Sequence, residues 1–139
     1  MEGKIPNGMM AKLLKEEYRA WKRNALSHSA YFPVFTELKE THLLRNLSGG
    51  ALKVYIYLGL HSKQWTGETW VTLEQMAAYF GVSKRTINNW LQELKKKRLV
   101  ERMQMELNGV SFTFLRPYGN IPEDEPAENE GGYLLEPEE

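Results

Sequence analysis

The sequence predicts a mainly helical domain closed by a β-hairpin, with an extra helix before it and an acidic tail after it. Three observations carry that prediction. Between Thr72 and Lys97 two short amphipathic segments are separated only by Gly81-Val82-Ser83. Directly afterwards, Leu99 to Arg116 alternates in side-chain type around Asn108-Gly109, a dipeptide suited to a type I′ hairpin turn. From Asn120 onward the chain turns acidic and has no Lys or Arg. The expected divisions are therefore a basic amphipathic helix in residues 1–30, the folded domain in 31–119 and a flexible tail in 120–139.

Size and composition narrow the function classes. A chain of 139 residues with 42% apolar residues and four tryptophans can bury one core. It has no cysteine, which excludes disulfides and cysteine-ligated zinc. His28, His42 and His61 share no metal-ligand spacing, so neither a metal nor a cofactor is expected. Residues 1–8 lack the apolar run of a signal peptide, and no segment is long enough to span a bilayer. The expected setting is cytoplasmic, with no membrane partner. The formal net charge of zero hides an asymmetry: with the tail's eight carboxylates set aside, residues 1–119 carry 18 basic and 10 acidic residues, a charge of +8. A basic module with an acidic appendage points to a polyanionic partner.

Residues 9–28 place Met10, Leu14, Trp21 and Ala25 near one helical stripe, flanked by Leu13 and Tyr18, with Lys12, Lys15, Arg19, Lys22 and Arg23 over much of the remainder. Docking on the domain and pairing with a second copy as a homodimer are both open. Membrane-surface binding fits less well because Glu17 interrupts the stripe. Tyr31 to Leu38 reads as extended, Pro33 disfavouring helix before it. Leu43 to Leu60 reads as helix in two pieces, because Ser48-Gly49-Gly50 interrupts it and Ser48 is a good N-cap. Its second piece is apolar nearly all round, which predicts a central, buried helix. Lys63 to Glu68 reads as a loop and Trp70-Val71 as a short strand.

Thr72 and Gln75 have the spacing of a capping box, and Leu73, Met76, Ala77 and Phe80 form the apolar face of the helix that follows. Gly81 suits the left-handed residue that ends it. Ser83 caps the next helix, with Val82 and Ile87 placed as a hydrophobic staple. Ile87, Trp90, Leu91 and Leu94 face the core. At about 100° per residue, Arg85, Asn89, Gln92 and Lys96 point the opposite way, with Asn88 on the shoulder. These types suit base edges: Arg pairs with guanine O6 and N7, Asn or Gln with adenine N6 and N7. Arg85, Asn88, Asn89 and Gln92 are the predicted base readers. Ser83, Lys84 and Thr86, at the amide-rich helix start, and Lys96 are the predicted phosphate contacts.

In the hairpin, pairing outward from a tight Asn108-Gly109 turn matches Leu107 with Val110, Met105 with Phe112 and Met103 with Phe114 on one apolar face. Arg102 and Gln104, on the other face, are the candidate wing contacts to DNA. The tip lacks Lys and Arg, so a wing that only buttresses the reading helix is an equal alternative.

Two helices joined by a tight turn and followed by a hairpin have the layout of a winged helix-turn-helix. Leu47-Ser48-Gly49, Ala51-Leu52-Lys53-Val54-Tyr55, His61 and Thr66-Gly67-Glu68-Thr69-Trp70, with Gly81, Ser83, Arg85-Thr86, Glu93-Leu94 and Leu99-Val100, resemble the winged helix-turn-helix domain of bacterial plasmid and phage replication initiators, primosome loaders and mobile-element regulators. The resemblance covers residues 31–116. It implies a double-stranded DNA partner, a nucleoid, plasmid or phage setting, and major-groove entry by the helix that starts at Ser83, Arg85 and Thr86. A Pro-Ser pair that often follows the tryptophan is Val71-Thr72 here, which affects the entry to the helix.

The expected function is sequence-specific duplex DNA binding by a transcriptional or mobile-element regulator. A replication initiator or loader, and a winged-helix protein-interaction adaptor, are the alternatives. No catalytic constellation stands out, so an enzyme is not expected. The tail, expected to be disordered, carries Tyr133-Leu134-Leu135, which could dock a protein partner, fold back on the basic face or be incidental.

Overall fold

The computed structural model describes residues 4–104 and 111–119. The chain separates into two units, residues 1–32 and 33–139. The first unit is dominated by α1 (Asn7–His28), 22 residues long, none of them buried. Pro6 sits at its N-cap, and it stops at Ser29, whose N–H bonds to the Ala25 carbonyl in an extended backbone.

The second unit opens with two single-turn helices, α2 (Glu37–Glu40) and α3 (Leu43–Asn46). The expectation of an extended run through Leu38 is corrected here. Leu38 is buried within α2, and only the residues up to Phe35 lack regular structure. Ser48 then caps α4 (Gly49–His61) by accepting from the Ala51 N–H. The predicted break in this helix is present, but the prediction that α4 is buried all round is not met. Ala51, Val54, Tyr55, Leu58 and Gly59 face the core, whereas Ile56 and Leu60 are exposed.

Strand β1 is Glu68–Thr69, two residues earlier than the sequence pattern places it. The capping box at Thr72 and Gln75 is present and starts α5 (Leu73–Phe80). Gly81 ends that helix at φ 69, and a Cβ there would meet nothing within 4 Å, so glycine serves backbone conformation rather than space. Ser83 accepts from the Thr86 N–H and starts α6 (Lys84–Lys96). Arg98, in the left-handed region at φ 60, closes α6, with the Leu99 N–H bonded to the Leu94 carbonyl.

Strands β2 (Val100–Gln104) and β3 (Ser111–Leu115) complete an antiparallel sheet in the order β1-β3-β2. Its register pairs Met103 with Phe112, Arg102 with Thr113 and Gln104 with Ser111. The predicted register, with Met103 opposite Phe114, is therefore offset by two residues from the observed one. The turn at Asn108-Gly109 and its Leu107–Val110 pair lie outside the described residues. The strand face that turns inward is not the one that carries the apolar pairs. Val100 and Thr113 on one side are fully buried beside Thr69 and Val71, while Met103, Phe112 and Phe114 lie on the other side. There Phe112 meets Trp70 edge-on at 5.2 Å, and the Lys63 ammonium lies 5.1 Å from the centre of the Trp70 ring. The core is the space enclosed by α4, α5, α6 and the inner sheet face, filled by Leu58, Met76, Ile87, Leu91, Leu94 and Leu99.

Candidate nucleic-acid interface

Helix α6 is positioned from one side by its apolar stripe. Ile87, Leu91 and Leu94 are completely buried, and Trp90 lies so close to α4 that a Cβ on Gly50 would overlap its indole. Only glycine allows that approach, so α6 is held against α4 at a fixed rotation. With the stripe fixed inward, Arg85, Asn88, Asn89 and Gln92 must face outward, and all four are exposed. The structure brings the predicted readers onto one continuous surface spanning about two turns of helix.

The phosphate candidates are arranged in two groups. Ser83 and Thr86 sit at the start of α6, where their hydroxyls are 3.0 Å apart and the Ser83 oxygen also accepts the Thr86 N–H. Both hydroxyls are engaged in the cap, so what this end offers a phosphate is mainly backbone N–H groups and the positive end of the helix dipole. Lys84 reaches back to α5, its Nζ 3.2 Å from Glu74 Oε2. The Glu74 carboxyl is held below the usual carboxylate range by a bond from its own backbone N–H and by Lys84. For Lys84 to contact a phosphate, it has to leave Glu74. Lys96 stands exposed at the opposite end of the helix.

Arg102, a candidate wing contact, is engaged within the sheet. Its guanidinium is half-buried on the inner face of the sheet and donates to Thr113 Oγ1 at 2.8 Å, and burial lowers its pKa from the ordinary guanidinium value. Strand alternation turns Arg102 toward the helices, where it satisfies a buried hydroxyl. Gln104 is exposed at the end of β2. Tyr133, Leu134 and Leu135 lie outside the described residues.

Sequence reasoning missed the role of Glu93. Its carboxylate accepts from the Ser48 N–H at 2.7 Å and from the Ser48 hydroxyl at 2.7 Å. In a capping box the helix's own third residue accepts the N-cap N–H, but in α4 that residue is Ala51. Glu93 of the adjacent helix α6 takes over the task. The available signal was a good N-cap serine with no acid or amide three residues later. At the far end of the domain, the Tyr118 hydroxyl accepts from the Phe35 N–H at 2.9 Å. Burial, reinforced by Tyr118, raises the pKa of the Tyr55 phenol, which remains neutral. Among the described residues no group of His, Asp and Glu is arranged to hold a metal, and no helix is long and apolar enough to cross a membrane.

A family model described as a helix-turn-helix domain matches residues 45–100, the span from α3 to the first residue of β2. That span contains α5, the Gly81 turn and α6, and the hairpin follows it. The fold is a winged helix-turn-helix. Among solved structures, a MarR-like transcriptional regulator from Thermotoga maritima aligns at 15% identity and a TM-score of 0.44, covering 95% of this chain and 75% of that one. No curated protein matches the chain.

Proposed function

We propose that this winged helix-turn-helix protein binds duplex DNA in a sequence-specific way, with α6 in the major groove, and acts as a transcriptional or mobile-element regulator rather than as an enzyme. One observation carries the proposal: Arg85, Asn88, Asn89 and Gln92 form a single exposed face on a helix whose opposite face is locked into the core. A solvated helix needs charge but no particular side-chain geometry, whereas these four types match the donor and acceptor patterns of guanine and adenine edges. Lys84, Lys96 and the amides at the start of α6 would set register on the phosphates without reading sequence. With Arg102 turned inward, the hairpin acts mainly as a buttress for α6.

The test is to select bound sites from a random duplex pool and compare variants on the selected site and on random duplex. Arg85→Ala or Asn89→Ala is expected to weaken specific binding by about 1–3 kcal/mol while leaving random-duplex binding nearly unchanged. Lys96→Ala should weaken both about equally. Equal losses for Arg85→Ala on the two DNAs would remove the base-reading role.

A further inference from the structure

We propose that α1 is a self-association helix through which two copies of this chain pair in parallel and in register. The pairing does not depend on the DNA reading proposed above. None of the 22 residues of α1 is buried, and its large apolar side chains are open: Leu14 is 54% exposed, Tyr18 57% and Trp21 60%. At about 100° per residue, Met10, Leu14, Tyr18, Trp21 and Ala25 fall within one stripe roughly 100° wide, with Ala11 at its edge. The spacing from Leu14 through Tyr18 and Trp21 to Ala25 is four, three and four residues, the alternation that keeps a seam facing a partner helix.

The charges beside the stripe select the occupant and its direction. Glu17 borders one edge, and Lys15 and Lys22 border the other. If two copies ran antiparallel across a two-fold axis, like edges would meet, and the lysines of one copy would face those of the next. In a parallel pair, the Glu17 edge of each copy meets the Lys22 edge of the other, as e and g positions do in parallel coiled coils. The sequence is thus self-complementary in one direction only. Beside the C-terminal half of the stripe lies a hollow of about 410 Å³, bordered by Tyr18, Trp21, Ala25, Leu26 and Tyr31. It offers a partner's aromatic ring a place to insert.

The interface area fits a reversible dimer. Covering Met10, Leu14, Tyr18 and Trp21 on both copies removes roughly 1,000 Å² from water, the lower limit for a specific interface. Association should therefore depend on concentration. Sedimentation equilibrium of the full chain is expected to give twice the 16.2 kDa chain mass at high concentration, dissociating on dilution. Trp21→Glu is expected to weaken the dimer at least tenfold. A monomer at every concentration up to the order of 0.1 mM would overturn the proposal.

Direction can be read separately, because the chain has no cysteine of its own. Leu14→Cys alone and Ala25→Cys alone, both at exposed or half-exposed positions that leave the fold intact, are each expected to oxidise to a disulfide-linked dimer. A mixture of the two should give only like-with-like linkages. A mixed linkage between residues 14 and 25 would mean an antiparallel pair and would also overturn the proposal.

Discussion

Glu93 is a single carboxylate that ties the start of α4 to the last turn of α6, and its behaviour with pH is a direct test of that tie. The Ser48 backbone bond first, and the Ser48 hydroxyl second, lower its pKa below the ordinary carboxylate value. The sign follows from linkage. A folded-state pKa below the unfolded one means that the ionised form is favoured by folding. Its contribution is complete above the unfolded value of about 4.3 and is lost as pH falls through the depressed folded value. Glu93→Gln should therefore be less stable than the parent at neutral pH, by about 0.5–1 kcal/mol, the scale of an exposed helix-cap interaction. The difference should shrink as the medium is acidified. Urea unfolding of both proteins from about pH 7 to about pH 3 measures this, and a difference independent of pH would assign the effect to shape instead of charge.

At the scale of elements, the tight turn between α5 and α6 sets the angle at which the proposed reading face is presented. Gly81→Ala isolates its backbone requirement, because the added methyl meets nothing and only the positive φ is penalised. The expected loss is about 1 kcal/mol, seen as a lower urea midpoint with an unchanged slope. An unchanged midpoint would mean that the turn tolerates another conformation. This turn was legible in the sequence, as were the caps at Ser48, Thr72 and Ser83, because each is decided by groups within three or four residues. The outward face of α6 was legible for the same reason: helical periodicity is a local property. The sheet was less legible. Both faces of β2 and β3 carry apolar side chains, and what decides between them is β1, more than forty residues before β3, which aligns Thr69 with Thr113 on the helix side. Arg102 was misplaced with them, since a cation on a strand looks exposed until its nonlocal neighbours are known. Glu93 lies 45 residues from Ser48, and the missing acid or amide at position 51 signals that a partner is needed without saying which residue supplies it.

The whole molecule has a charge distribution that bears on how tightly any duplex can bind. Residues 1–119 carry a net +8, and residues 120–139 cancel it with eight carboxylates and no cation. The tail lies outside the described residues, but its eight carboxylates are tethered to the domain, and we propose that they compete with DNA phosphates for the same cations. Removing residues 120–139 should tighten binding to random duplex roughly three- to tenfold near 0.1 M salt, where the screening length is about 10 Å. The gain should narrow as salt is raised, because screening weakens exposed charges on both the tail and the DNA. The selected-site preference should persist, since the proposed base readers Arg85, Asn88, Asn89 and Gln92 are untouched by the deletion. Fluorescence anisotropy of the full chain and the truncated chain across a salt series distinguishes the outcomes. Equal affinity at low salt would place the tail's charge outside the field of the DNA-binding face, and a gain that did not fall with salt would point to a steric block instead.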